Sequence, residues 1–272
     1  MVDTGRAVVV RMSDPNHRAE LAGALYWTRQ LRWLHVPVAE VLDQDLSCPV
    51  PYMVLERLPG TDLGNALDEI EGPELVGIAT SVAHMQSQAA ELPNADGYGY
   101  ALHYTQRLSP SWIDVVRGEL DRSEQYIRSA GVIDPALVHR LRTRLDVCAT
   151  SLTHVQPKAF LHDATTKNVI VHEGQLSGLV DVDTMAFGDP LWAVALTRMS
   201  LLSAGRSTMY SDALAAAMGH GDTSELLDFY TAVFCLGFLS ELGQTFNKAQ
   251  PEPINTRHQR HLQTTLHDLL RP

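Results

Sequence analysis

Between Phe160 and Pro190 the chain reads FLHDATTKNVIVHEGQLSGLVDVDTMAFGDP, and three of its polar residues sit at the corners of a short apolar segment. Asp163 precedes Asn168 by five positions, and Asn168 precedes Asp181 by thirteen. VIV and LSGLVD read as two strands joined by the turn HEGQ, so a hairpin folds Asp181 back toward the loop carrying Asp163 and Asn168. Two carboxylates and a carboxamide would then share one end of that hairpin. All are hard oxygen donors, suited to Mg²⁺ carrying substrate phosphates rather than to zinc. The set is too sparse for an all-protein metal cage, so its ligand must bring anionic oxygens of its own. Taken singly, Asp and Asn are ordinary turn residues; the information lies in their combination, completed by Gly188-Asp189-Pro190.

The elements that must position these residues are legible on either side. AVVVRM (7–12) is β-branched and reads as a strand, on which Arg11 points to the opposite face from Val8 and Val10. From Asn16 to Leu34 apolar residues recur at helical spacing. VAEVL (38–42) and PYMVLERL (51–58) give two more strands, and Pro59-Gly60 breaks the second. Helices dominate afterwards: 71–92, with a proline in its first turn, then 111–129 and 134–153, separated by a loop-like stretch over 93–110. Strands are expected near 158–161, 169–172 and 176–181. From Leu191 onward the pattern is helical, broken near Gly205, Gly219 to Gly221, and Pro251 to Pro253. A small strand-rich lobe (1–58) thus precedes a large helical one (59–272).

Composition narrows the function class. The 272 residues suffice for a sizeable core, and the formal charge of −11 excludes a general nucleic-acid binder while permitting a cationic small substrate. Cys48, Cys148 and Cys235 are scattered, with no CxxC pair, which reads as reduced thiols in a cytoplasmic protein. The apolar run over 229–239 is too short to span a bilayer. His258, His261 and His267 have helical spacing but no carboxylate or cysteine companion, and read as a surface helix.

The order of apolar strand, His-Asp, Asn, hairpin, Asp and Gly-Asp-Pro resembles the aminoglycoside phosphotransferase family, small-molecule kinases of the protein-kinase-like fold. MVLERLPGTDL (53–63) is similar to the hinge of that family. The resemblance implies an α+β, two-lobed fold with a truncated N-lobe, and transfer of the γ-phosphate of ATP or GTP to a hydroxyl of a small molecule. It casts Asp163 as the residue that orients and deprotonates the hydroxyl, and Asn168 with Asp181 as Mg²⁺ ligands. Arg11, paired with Glu20, would bind phosphate; Glu56 to Leu58 would hold the base through backbone groups. An aminoglycoside or similar cationic antibiotic is the implied acceptor. The family pattern His-Gly-Asp is altered here: Leu161 takes the histidine's place and His162 adjoins the Asp. His162 reads as a packing residue, Lys167 as an exposed loop lysine.

In this family the acceptor pocket is often acidic, which makes Asp114, Glu119, Asp121, Glu124, Glu225, Asp228 and Glu241 candidates. Some should form surface pairs, and Glu241, closing an apolar helical run, either faces a pocket or, as the commoner case, solvent. The first strand and phosphate-covering loop of the fold have no counterpart in MVDTG, which leads to expectations of weak ATP binding and of self-association through residues 6–12. The competing reading is a kinase-fold protein that binds a small molecule without turnover.

Overall fold

Three β-branched or apolar segments assemble first into an antiparallel sheet. β1 (Val8–Met12), β2 (Val41–Asp45) and β3 (Tyr52–Glu56) lie in the order β1-β3-β2, with Arg11 opposite Met53. The structure is a computed structural model, and it describes residues 7–130, 134–220, 224–244 and 254–271. The start on which the expectation of a missing first strand rests, and the expected breaks at Gly221 and at Pro251 to Pro253, lie outside the described residues. α1 (Arg18–Trp33) crosses the sheet and packs on two sides. Leu21, Ala24 and Leu25 meet Met53 in a small core, while Trp27 and Leu31 enter the main one.

β4 (Thr61–Asp62) follows the break at Gly60 and pairs with the later strand β7 (Val169–His172). A Cβ at Gly60 would collide with the Val171 carbonyl, and its φ of 100° suits glycine alone. Asp62 caps the short α2 (Leu63–Ala66) by accepting from the Asn65 N–H. α3 (Gly72–Ala89) opens on a capping box between Glu71 and Glu74. The stretch expected to be loop contains a strand, β5 (Gly99–Ala101). α4 (Trp112–Ala130) and α5 (Ala136–Thr153) come next, then β6 (Ala159–Phe160), β7, β8 (Gln175–Leu179) and β9 (Met185–Phe187).

β4, β7 and β8 form one small sheet, and β5, β9 and β6 another. The short β4, β5 and β9 had no periodicity to announce them, because their partners lie far along the chain. α6 (Leu191–Ser203), α7 (Met209–Ala217), α8 (Ser224–Ser240) and α9 (Thr256–Leu269) complete the molecule. Trp112, Trp192, Phe187 and Tyr230 are fully buried in the main core, which backs the loops of the site. Among the described residues no helix is long and apolar enough to cross a membrane.

Candidate active site

The loop bearing Asp163 is fixed from behind by a buried glutamine. Gln86 on α3 donates from Nε2 to the Leu161 carbonyl and accepts from the Leu161 N–H, both at 2.8 Å. The Asp163 carboxylate then emerges one quarter exposed; Thr165 Oγ1 donates to it at 3.2 Å and Lys167 Nζ lies 3.4 Å away. Asn168 is buried and holds the loop in shape. Its Nδ2 donates to the Asp163 carbonyl at 2.8 Å, and its own carbonyl accepts from the Val180 N–H at 3.0 Å. These bonds tie the loop to the end of β8. With Nδ2 so engaged, the side-chain oxygen is the atom left for a ligand.

The hairpin between them closes through His172 and Gln175, with Glu173 at φ 50° and Gly174 at φ 72°, the left-handed pair of a type I′ turn. Asp181 follows β8 with φ 62°, a conformation uncommon for a non-glycine residue and frequent where function constrains the backbone. Burial, and then the nearby Asp183, push its carboxyl above the ordinary range, whereas Arg11 pulls the other way. A site that raises an acid in this way favours a bound cation. Asn168 and Asp181 supply oxygen donors at one edge, as Mg²⁺ with nucleotide phosphates requires. Among the described residues there is no cluster of three or more His, Cys, Asp or Glu able to hold a metal unaided.

Arg11 reaches this edge from β1, but its partner differs from the expected one. Its guanidinium donates to both oxygens of Asp183, at 2.5 and 2.7 Å, and lies 3.4 Å from Asp181. Glu20 instead accepts from His17 at the exposed start of α1. The expected Arg11–Glu20 pair is therefore not made. A carboxylate two residues beyond Asp181 stands in its place, and the repeated Asp-Val-Asp was the only sequence sign of it. Arg11, Glu56, Leu58, Asn168 and Asp181 all line one cavity of about 480 Å³ between the three-stranded sheet and the hairpin, with Val38, Leu179 and Ile170 as apolar floor.

A second cavity of about 570 Å³ opens on the other side of the same loop and contains Asp163. Lys167 is exposed, as its loop reading expects, and borders both cavities. Glu119 and Glu241 line the second one, which corrects the solvent-facing preference for Glu241. Burial pushes both carboxyls upward; for Glu119 this is offset in part by its ion pair with Arg122. The other acidic candidates form surface pairs: Asp114 with Arg117, Asp121 and Glu124 with Arg142, Glu225 with Arg144, and Asp228 with Arg198. His162 packs edge-on against Tyr100, with ring centroids 4.9 Å apart. Burial lowers its pKa, and among the described residues its Nδ1 has no hydrogen-bond partner.

The Gly-Asp-Pro turn is structural. Asp189 accepts from the Leu191 N–H at 3.0 Å and from Tyr230 Oη at 2.9 Å, and Tyr230 in turn accepts from Trp112 Nε1. A Cβ at Gly188 would penetrate the Trp112 ring.

No curated protein matches the sequence. Among solved structures, the aminoglycoside phosphotransferase APH(4)-Ia matches 99% of this chain and 87% of its own at 18% identity, with a TM-score of 0.69. A thermostable mutant of the same enzyme, in ternary complex with AMP-PNP and hygromycin B, matches 98% of this chain and 87% of its own at 19% identity and a TM-score of 0.67. ADP-bound APH(2'')-Ib matches 97% and 88% at 12% identity, with a TM-score of 0.66. The fold is thus α+β and protein-kinase-like, as the resemblance implied. A model of the phosphotransferase enzyme family matches residues 1–230, and the chain belongs to that family.

Proposed function

We propose that the protein transfers the γ-phosphate of ATP or GTP to a hydroxyl of a small cationic molecule, an aminoglycoside or similar antibiotic being the class that family resemblance suggests, and that it works in the cytoplasm. The observation that carries this reading is the placement of one loop between two cavities. Asp163 faces the acceptor side, Asn168 and Asp181 face the nucleotide side, and Lys167 borders both. Residues 1–58 then serve chiefly the nucleotide, and 59–272 the chemistry and the acceptor.

In this mechanism Asp163 accepts the hydroxyl proton while orienting the attacking oxygen. The acceptor O–P bond forms as the β,γ-bridging O–P bond breaks, and the nucleoside diphosphate leaves with that electron pair. Asn168 and Asp181 would hold Mg²⁺, which when bound offsets the phosphate charge. Arg11, oriented by Asp183, binds phosphate oxygens with a planar fork. Lys167 stands where the moving phosphoryl group passes from one cavity to the other. Glu56 to Leu58 place the base through their backbone.

Asp163→Ala should lower the single-turnover rate at least ~100-fold while nucleotide affinity stays unchanged. The check is rapid quench, with product recognised by the mass gain of one phosphoryl group. Transfer at the wild-type rate would overturn the assignment.

A further inference from the structure

The loop after β6 turns one side chain outward. Ala164, Thr165, Thr166 and Asn168 are buried, while Lys167 stands 68% exposed among them. Among the described residues it alone lines both cavities. An exposed loop lysine is ordinarily no more than a solvated charge. This one borders the two spaces between which a phosphoryl group has to travel. Its Nζ lies 3.4 Å from the Asp163 carboxylate. Its field reaches the other side of the loop as well. Burial and Asp183 raise the Asp181 carboxyl, Arg11 lowers it, and after these Asp163 raises it and Lys167 lowers it.

The other cationic side chains of the two cavities are placed differently. Arg11 is clamped on Asp183 by two bonds. Arg57 follows β3 at the hinge and lines the nucleotide cavity only. Arg122 pairs with Glu119 and lines the acceptor cavity only. His162 lines that cavity too, and burial drives its ring toward the neutral form. Phosphoryl transfer carries a group whose three equatorial oxygens share negative charge. That group must come up against Asp163, itself a carboxylate. The two repel unless a cation stands between them, and Lys167 is the cation so placed.

Resting on the phosphotransferase reading, we infer that Lys167 is a catalytic residue that exchanges the Asp163 carboxylate for the equatorial oxygens of the transferring phosphoryl group. In the unliganded protein its ammonium lies against Asp163. In the transition state it lies on the phosphoryl oxygens and leaves the carboxylate to the acceptor hydroxyl. A flexible four-carbon stem permits that swing. The bond from acceptor oxygen to phosphorus forms, the bond from phosphorus to the β,γ-bridging oxygen breaks, and the nucleoside diphosphate leaves with that electron pair. The hydroxyl proton goes to Asp163, and Lys167 keeps all of its own. An interaction made fully only during transfer raises kcat rather than affinity.

The test needs no acceptor. Calorimetry on the full chain uses Mg²⁺ with AMP-PNP as the ground-state probe, and Mg²⁺ with ADP in the presence and absence of fluoroaluminate, whose planar ion mimics the phosphoryl group in transfer. Fluoroaluminate should tighten ADP binding by the wild type at least ~10-fold, and Lys167→Met should lose that gain while AMP-PNP affinity stays within about 3-fold. Lys167→Arg, which keeps the charge but not the shape, should keep part of it. Slow hydrolysis of ATP, with water in place of the acceptor, should fall ~100-fold or more in Lys167→Met at little changed KM for ATP. Both variants should melt with the wild type, since the side chain is exposed. The inference is overturned if Lys167→Met keeps the fluoroaluminate gain. It is also overturned if AMP-PNP affinity falls to the same degree, which would make the lysine a ground-state anchor, or if the variant unfolds, which would make it structural. A gain untouched by Lys167→Met sinks the inference alone. A wild type that binds AMP-PNP but shows neither the gain nor hydrolysis sinks phosphoryl transfer, and the inference with it.

Discussion

Glu241 and Glu119 face one cavity, but among the described residues Glu119 pairs with Arg122 and Glu241 has no ion pair, and the difference has a consequence for stability. The folded-state pKa of Glu241 is raised above its ordinary value of 4.5, with burial as the first cause, then Arg122 opposing and Glu119 reinforcing. An acid shifted upward contributes stability that is fully present below its unfolded value and is lost as pH rises through the folded one. Glutamine does not titrate, so ligand-free Glu241→Gln should melt higher than the wild type at pH 7 to 8. That gap should close as pH falls toward about 4.5 and the wild-type carboxyl takes up its proton. Paired thermal melts across this window check the sign, and a gap that widens on acidification would contradict it. Asp163 differs in having Lys167 3.4 Å away and Thr165 Oγ1 as a donor at 3.2 Å.

At the scale of elements, the site depends on a strand of two residues. β6 ends at Phe160, and what holds the chain beyond it is the pair of bonds from Gln86, one turn from the end of α3. Gln86→Met would preserve size while leaving a buried N–H and a buried C=O of Leu161 without partners. Each orphaned group costs about 1–3 kcal/mol, so urea unfolding should show a loss of roughly 2–6 kcal/mol. Because Asp163 lies two residues on, kcat should fall as well, with the nucleotide KM little changed. A variant that loses stability but keeps kcat would show that the loop is held mainly by Asn168. The hairpin itself is sturdier, since its turn and its bond from Val180 to Asn168 are local to the segment.

Across the whole molecule, the three-stranded sheet and the helical part meet at the Arg11–Asp183 fork, which joins residues 172 positions apart. Two parallel charge-assisted bonds fix the guanidinium plane as well as its position. The Glu20 carboxylate, engaged with His17 at the surface, makes no such link. Asp183→Asn should therefore raise the KM for ATP by about 10-fold, near the scale of one charged hydrogen bond, and speed amide exchange in β1 and β3. Glu20→Gln should stay within about 2-fold. Steady-state kinetics and hydrogen exchange on both variants decide between the partners. Tighter ATP binding by Asp183→Asn would mean that Asp183 competes with phosphate instead of orienting Arg11.

The sequence by itself determined the longer strands and helices in their order and the gathering of Asp163, Asn168 and Asp181 at one end of a hairpin. Both rest on short-range physics: apolar periodicity sets helices and strands, and the left-handed turn at Glu173-Gly174 sets which residues return to face one another. Only the tertiary structure decided what Arg11 binds, which cavity Glu241 lines and which acids form ion pairs. Arg11 had two candidate carboxylates, one nine residues away and one 172, and nothing local distinguishes an exposed helix start from a remote strand end. α8 is apolar on nearly every side, so its sequence presents no polar face from which to read the direction of the residue that ends it. β4, β5 and β9 escaped for the same reason. A strand of two or three residues exists only because a distant partner offers it hydrogen bonds, and that partner is supplied by the folded chain.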